Sequence, residues 1–192
     1  MDNPIAIKNF IGEDQLKILM SWVSENESKY DQHLSSVDYW NGRCIHYTCV
    51  DDFNIKKLLY SVVNSMKAII EKIDPSEKTL YVEQPQFVRW PTGIELPPHA
   101  DNVEPDGVTP NTSPWRSHGG VLYLNGDFEG GEIYYPFLDD LSIKPEAGMI
   151  ALHSADLKHT HGVRKVTEGT RQTMSVFFTY DKNYSIDNGG PT

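Results

Sequence analysis

The chain lacks three features that would direct it to particular partners or compartments. Its 17 basic residues are outnumbered by 27 acidic ones, for a formal net charge of −10, so phosphate backbones and anionic lipids would repel it. No run approaches the roughly 18 apolar residues of a membrane span. The opening MDNPIAIKNF lacks the basic-then-apolar order of a signal peptide. We therefore expect a cytoplasmic protein that binds neither nucleic acid nor membrane.

Cysteine is also scarce, with only Cys44 and Cys49 in the chain. On a strand this spacing places the two side chains on opposite faces, so a disulfide would need a bend, and we predict two reduced thiols. The 192 residues, 39% of them apolar, are enough for one domain with a real core. No repeat or linker divides them, which predicts a single domain over residues 1–182 and a flexible tail over 183–192.

The arrangement of apolar residues predicts helices first and strands later. Residues 10–30 and 53–73 carry apolar side chains at helical spacing. Short β-rich runs follow, separated by glycine, proline, asparagine and aspartate: LYVEQPQFVRW, HGGVLYLN, GGEIYYP, LSIKP, GMIALH, HGVRKV and RQTMSVFFTY. This order predicts an α+β protein, mainly β, whose core is a sandwich or barrel of the double-stranded β-helix type, jelly-roll or cupin-like, with the N-terminal helices packed on one face.

A histidine and an aspartate stand two apart in LPPHADNVEPDG, where a predicted strand ends. Side chains alternate along a strand, so His99 and Asp101 project to the same side and can chelate one ion. The polar stretch that follows, residues 102–117, is long for a connection without secondary structure. Loops of this length often act as lids or binding loops. We expect it to close over a bound substrate.

Further metal-binding side chains occur in LHSADLKHTHGV, which contains His153, His159 and His161. Two imidazoles and one carboxylate with open positions form the facial triad of non-haem Fe(II) oxygenases. The turn in VTEGTR predicts that HGVRKV and RQTMSVFF form an antiparallel hairpin in which position 161 pairs with 175. Arg171 would then share the face of His161 about 13 Å along the ladder. A dianion could bridge the metal and this guanidinium.

Together these motifs resemble the Fe(II)- and 2-oxoglutarate-dependent dioxygenases, and within them the prolyl 4-hydroxylase-like branch. The resemblance covers about residues 84–182, which hold the catalytic motifs. It implies that PHAD supplies His99 and Asp101 as iron ligands. It further implies that HGVRKVTEGTR supplies His161 as the third ligand and Arg171 as the anchor for the distal carboxylate of 2-oxoglutarate.

The resemblance assigns further roles and shows two departures. YLN makes Tyr123 a second donor to the distal carboxylate, and Thr173, on the face of Arg171, is a further candidate. Trp90 stands where the family commonly has a tyrosine, and it offers only an indole N–H. Phe177 stands where related nucleic-acid demethylases have an arginine. The second departure agrees with the expectation that nucleic acid is not a partner.

The implied function is hydroxylation of an unactivated C–H bond, most simply of a prolyl residue in a protein or peptide. Fe(II), 2-oxoglutarate and O2 are the expected cofactor and cosubstrates, succinate and CO2 the co-products, and ascorbate a stimulant. Two alternatives stay open: a hydroxylase of free proline or another small molecule, and a non-catalytic metal-binding β-domain. A zinc hydrolase with the same ligands would leave the arginine unexplained. The sequence makes no prediction of oligomeric state.

The remaining tryptophan, arginine and histidine side chains near these motifs are expected to have peripheral or structural roles. Trp115 and Arg116, at the end of the long loop, are expected to contact an extended peptide. His118 and His153 are expected to be structural. His159 is expected in an exposed loop.

Overall fold

A computed structural model describes residues 1–31 and 38–188. Two α-helices lie in the N-terminal part of the chain, α1 (Glu13–Glu25) and α2 (Phe53–Ile73). Helix α2 begins after Asp52, whose side chain accepts hydrogen bonds from the backbone N–H groups of residues 54 and 55. Such a cap satisfies donors that have no partner within the helix. Both helices lie where the apolar spacing predicts them.

The β-structure that follows forms antiparallel sheets. The larger sheet has the strand order β1-β10-β6-β13-β4-β2, with β3 also paired to β13, and the smaller has the order β5-β11-β8-β9; β7 pairs with β12. The strands are β1 (Ile5–Ile7), β2 (Cys44–His46), β3 (Tyr81–Val82), β4 (Gln86–Pro91), β5 (Leu96–His99), β6 (Arg116–Tyr123), β7 (Glu129–Gly130), β8 (Ile133–Tyr135), β9 (Leu141–Ile143), β10 (Ile150–Ser154), β11 (His161–Val163), β12 (Val166–Glu168) and β13 (Thr170–Thr179). This mainly-β architecture confirms the predicted jelly-roll core.

The two faces of the larger sheet have different chemistry. On strand β13, Met174, Val176 and Phe178 belong to the main core cluster, which also contains buried residues of α1 and α2. Arg171 and Thr173 alternate with them and therefore point to the opposite face. Burial of the apolar face under the helices leaves the polar face turned toward the smaller sheet. The helices thus pack on one face, as predicted, and the other is free to build a site.

The predicted hairpin between HGVRKV and RQTMSVFF is wrong. His161 pairs with His99 in the smaller sheet, whereas Ser175 pairs with Val121 in the larger one. The chain crosses between the sheets at β12, which pairs with β7, and the turn near Gly169 joins β12 to β13. His161 and Arg171 therefore approach each other from opposite sheets rather than along one ladder.

The predicted tail begins with ordered turns. Residues 182–184 and 186–188 form two 3₁₀ turns, and Ile186 belongs to the main core cluster. The apolar contacts of Ile186 therefore pack the start of this segment against the domain, and the flexible tail over 183–192 stays a prediction. Residues 189–192 lie outside the described part of the chain.

Two further expectations concern the cysteines and membrane spans. Cys44 is buried, Cys49 is partly buried, and both are free thiols, as predicted. Within residues 1–31 and 38–188, no helix combines the length and the apolar character needed to cross a bilayer.

Candidate metal centre

His99, Asp101 and His161 meet in the space between the two sheets. Each offers one ligand atom, and these three atoms lie within 4.8 Å of one another. The Asp101 Oδ1 atom is 3.7 Å from His99 Nε2 and 4.0 Å from His161 Nε2. The pairing of β5 with β11 places the two histidines opposite each other. The structure therefore brings together the three residues that the sequence motifs predict as metal ligands.

Hydrogen bonds hold both imidazoles with the same nitrogen facing the centre. His99 Nδ1 is 3.1 Å from the Pro97 carbonyl oxygen, and His161 Nδ1 is 3.0 Å from that of His159. A carbonyl oxygen can only accept a hydrogen bond, so each Nδ1 carries the proton and each Nε2 keeps a free lone pair. Backbone partners of this kind fix the orientation of metal-binding histidines.

The protonation states also suit a divalent cation. Burial, together with the neighbouring His153, lowers the pKa of His161 to about 3. Burial alone would raise the pKa of Asp101, but the surrounding histidines outweigh it and the pKa is lowered. The Asp101 Oδ2 atom is buried and finds no hydrogen-bond partner among the described residues. Two imidazoles and one carboxylate with an oxygen that lacks a partner form the donor set of an open Fe(II) site.

Arg171 provides a buried positive charge on the other side of the cavity. Its side chain is 1% exposed, and its Nε atom lacks a hydrogen-bond partner within the described ranges. The guanidinium carbon lies 5.0 Å from the ring centroids of both Trp90 and Tyr123. No described carboxylate forms an ion pair with it. A buried cation without a counter-ion is costly, so this position favours a bound anion.

Tyr123 and Thr173 lie beside this arginine in different circumstances. The Tyr123 hydroxyl is buried, and burial raises its pKa while Arg171 lowers it. It makes no hydrogen bond of good geometry to a described residue. The Thr173 hydroxyl is already engaged, since it lies 3.3 Å from both Trp90 Nε1 and the Val88 carbonyl oxygen. Tyr123 is therefore the freer donor, and Trp90 directs its N–H to Thr173.

One cavity connects the triad with the arginine. Its volume is about 360 Å³, and His99, Asp101, His161, Arg171 and Thr173 all line it. Among the lining residues, the His99 side chain is 38% exposed. The volume lies at the small end of the range for small-molecule sites. The cavity can thus hold a compact dianion between the metal ligands and the guanidinium.

Comparison with known proteins agrees with this geometry. The sequence profile of the 2OG-Fe(II) oxygenase superfamily matches residues 85–179, which include His99, Asp101, His161 and Arg171. The chain belongs to the 2OG-Fe(II) oxygenase superfamily. The two histidines and the aspartate of this oxygenase thus lie within the matched segment, as does the arginine.

The curated relatives of this oxygenase are much longer proteins. Prolyl 3-hydroxylase 1 of Homo sapiens is 30% identical over 148 residues, which cover 67% of this chain and 20% of that protein. Prolyl 3-hydroxylase 2 of Gallus gallus is 29% identical over 147 residues, which cover 67% of this chain and 21% of that protein. The chain spans about one fifth of the length of these relatives.

Solved structures share the fold over nearly the whole chain. A prolyl hydroxylase from Trichoplax adhaerens, in complex with a peptide fragment of the hypoxia inducible factor oxygen degradation domain, has a TM-score of 0.72, 20% identity, and coverage of 95% of this chain and 86% of its own. The 2OG complex of the viral collagen prolyl hydroxylase vCPH from Paramecium Bursaria Chlorella virus-1 has a TM-score of 0.71, 15% identity, and coverage of 93% and 96%. The oxygenase therefore has a prolyl-hydroxylase-like fold.

The long loop of this oxygenase is more ordered than its composition suggests. Val103 and Pro110 form a β-bridge. The Asp106 side chain accepts hydrogen bonds from the backbone N–H groups of Val108 and Thr109. Local hydrogen bonds to Asp106 thus give the loop an ordered turn, and its closure over a bound substrate stays a prediction.

Trp115 packs back onto the domain instead of facing the cavity. Its ring stacks on Tyr184 at a centroid distance of 3.8 Å, and its Nε1 donates to Glu83 at 3.0 Å. Arg116 also bonds to Glu83, at 3.3 Å, and its guanidinium lies over Phe177. The expectation that Trp115 contacts substrate is not supported, since both its stacking contact and its hydrogen bond are made within the domain. Arg116 still lines the cavity.

Three buried residues near the centre were missed or misjudged from the sequence. His159 is buried, not exposed, and its Nδ1 bonds to Asp156 at 2.7 Å. The His153 ring lies 4.2 Å from that of His161, so it borders the metal site. Tyr135 packs 5.8 Å from the His161 ring. Side chains alternate along strand β10, so Ala151 and His153 share a face, and this alternation could have indicated that His153 points into the interior. It could not have identified the residues of other strands that His153 contacts.

Proposed function

We propose that this chain is an Fe(II)- and 2-oxoglutarate-dependent dioxygenase that hydroxylates a prolyl residue in a protein or peptide. The observation that carries the proposal is the shared cavity. His99 and His161 of the smaller sheet and Asp101, just after strand β5, line it on one side. Arg171 of the larger sheet, which has no counter-ion among the described residues, lines it on the other. A 2-oxo dicarboxylate is the ligand class that uses both features at once.

Each side chain has a defined task in this proposal. His99 Nε2, His161 Nε2 and the Asp101 carboxylate would hold the metal ion. Arg171 would bind the distal carboxylate of 2-oxoglutarate through its guanidinium, with Tyr123 as a second donor. When bound, Fe(II) with 2-oxoglutarate and O2 supplies the oxidising power for C–H hydroxylation, with succinate and CO2 as co-products.

The protein also controls which groups reach the centre. Trp90 and Val163 form apolar parts of the cavity wall and exclude water around the bound dianion. Asn111, Thr112 and Ser113 line the cavity with amide and hydroxyl groups. These groups can hydrogen-bond to the backbone of an extended peptide. The cavity itself has room for a compact side chain, so the rest of a peptide would lie outside it.

A prolyl substrate is supported by the relatives. The curated relatives are named prolyl 3-hydroxylases, and the structural relatives include a Pseudomonas putida prolyl-4-hydroxylase with a TM-score of 0.68 and 15% identity, covering 93% of each chain. We propose prolyl hydroxylation for this chain and leave the ring position, C3 or C4, as a readout of the experiment.

Three finer features belong to the same proposal. The enzyme acts in the cytoplasm, and ascorbate stimulates it by keeping the metal reduced. Nucleic acid is not a substrate, which is supported by the net charge of −10 and by Phe177 on the cavity wall. Long-range repulsion would oppose the approach of a phosphate backbone.

The test is hydroxylation of defined substrates by the purified protein. The protein is incubated with Fe(II), 2-oxoglutarate and ascorbate together with proline-containing peptides or free proline, and products are analysed by mass spectrometry. We expect a gain of one oxygen on a peptidyl proline, and we expect Asp101→Ala to abolish it. Oxidation of free proline alone would favour the small-molecule alternative. Fragmentation against 3- and 4-hydroxyproline standards assigns the ring position.

A further inference from the structure

Tyr135 is a buried tyrosine whose hydroxyl lacks a structural purpose. The residue ends strand β8, its side chain is 0% exposed, and its hydroxyl has no hydrogen-bond partner among the described residues. Buried tyrosine hydroxyls are normally paired. The preceding Tyr134 points to the other face of the strand, where the Arg164 guanidinium lies 4.2 Å from its ring. An unpaired hydroxyl at Tyr135 therefore points to a partner that is not part of the protein.

Tyr135 lies directly behind the cavity wall, next to two histidines that line it. Its ring centroid lies 5.8 Å from that of the metal-binding His161 and 5.7 Å from that of His153. The phenol O–H is a hydrogen-bond donor. His161 belongs to the proposed metal triad, and Tyr123, which interacts electrostatically with Tyr135, lies beside Arg171.

Three buried donors without partners occur in this region: the hydroxyls of Tyr123 and Tyr135, and the Nε of Arg171. Each of them would be expensive to bury unless a ligand satisfied it. A dicarboxylate provides acceptor oxygens at both of its ends. The donors arise from strands β6, β8 and β13, so both sheets contribute to the arrangement.

We infer that the Tyr135 hydroxyl is a further hydrogen-bond donor to the bound dicarboxylate cosubstrate, in addition to Arg171 and Tyr123. This inference rests on the proposed function. Tyr135 is thereby a specificity-determining residue of the cosubstrate site, and it comes from the smaller sheet that also carries His161. In this arrangement the buried donors that lack partners in the protein would form their hydrogen bonds to the bound cosubstrate.

Calorimetric titration of 2-oxoglutarate into the Mn(II)-loaded protein tests this, with Tyr135→Phe and the matched control Tyr134→Phe. A hydrogen bond to a charged group contributes enough that Tyr135→Phe should weaken 2-oxoglutarate binding by about tenfold or more. Mn(II) affinity should stay unchanged in both variants. Without ligand, Tyr135→Phe should unfold at the wild-type temperature or higher, because it removes an unpaired buried hydroxyl.

The two readouts separate a ligand role from a structural one. Weaker 2-oxoglutarate binding together with undiminished stability supports the inference. Equal binding by Tyr135→Phe and the wild type would overturn it and leave the proposed function intact. Loss of stability in the ligand-free variant would also overturn it, by showing that the hydroxyl serves the fold. If 2-oxoglutarate fails to bind the wild type with Mn(II), both the inference and the proposed function fail.

Discussion

Gly119 provides a sharper test of the proposed metal-binding role of the Asp101 carboxylate than removal of a ligand does. A Cβ atom added at Gly119 would lie 2.8 Å from Asp101 Oδ2 and 2.8 Å from His153 Nε2. Both side chains are enclosed, with exposures of 4% and 2%, so neither can move freely into solvent. We predict that Gly119→Ala displaces the Asp101 carboxylate and weakens metal binding while the protein stays folded.

The magnitude follows from the crowding. A methyl group inserted into a well-packed interior destabilises a protein by about 1–3 kcal/mol, less than the roughly 5–15 kcal/mol that holds a domain folded. Misplacement of a group that orients a metal ligand typically lowers metal affinity about 10- to 100-fold. Gly119→Ala should therefore show a modest loss of stability and a larger loss of Mn(II) affinity.

Gly120 provides the matched control, because its added Cβ would meet the core instead of the metal site. That atom would lie 2.7 Å from Met66 Cε and 2.9 Å from Leu152 Cδ2. Gly120→Ala should destabilise the fold to a similar degree, as measured by urea unfolding, yet bind Mn(II) like the wild type in calorimetric titration. If Gly119→Ala also binds Mn(II) with wild-type affinity, the carboxylate of Asp101 does not hold the metal in the proposed position.

Two further predictions concern charge in the cavity. Arg171→Ala should weaken 2-oxoglutarate binding by about 2–5 kcal/mol without changing Mn(II) affinity; titration of both ligands checks this, and unchanged 2-oxoglutarate affinity would place the anchor elsewhere. His161, whose pKa falls from about 6.5 when unfolded to about 3 when folded, contributes stability that is fully present above pH 6.5. In the metal-free protein this contribution is lost as the pH falls toward 3, by up to about 1.4 kcal/mol per pH unit. Urea unfolding across this range should show a shallower pH dependence for His161→Gln, and identical slopes would contradict the assignment.

Two parts of the candidate metal site could be predicted from the sequence because their spacing is local, and the family resemblance joined them. His99 and Asp101 alternate on one strand end, and His161 and Arg171 occur in one short motif. Each of these relations depends on a few neighbouring residues, so no knowledge of the tertiary structure is needed. The helices could also be predicted from the sequence, since the apolar spacing of α2 is regular over its whole length.

The pairing of His161 could not be predicted in the same way. A turn signal near Gly169 is compatible with a hairpin or with a crossing between sheets, and only tertiary packing decides between them. Here β12 pairs with β7, and Val166 lies opposite Gly130, which precedes it by 36 residues. Sequence spacing alone carries no information about such a partner.

Contacts between distant segments explain the remaining misjudgements. Trp115 lies in a polar loop, but its stacking partner Tyr184 comes from the far C-terminal part of the described chain. Tyr135 stands in a β-rich run that reads as ordinary core. Only the assembled sheets bring its unpaired hydroxyl close to the metal ligands, because β8 and β11 are neighbours in the smaller sheet.

The most direct test of the central account is an isotope experiment on the wild-type protein. The enzyme is incubated with Fe(II), 2-oxoglutarate, an unmodified proline-containing peptide and O2 labelled with oxygen-18. The peptide and the succinate are then measured by mass spectrometry. The account predicts a labelled hydroxyl on proline and a matching amount of succinate that carries the other labelled atom. A reaction that proceeds with zinc in place of Fe(II), or without consumption of 2-oxoglutarate, would contradict it.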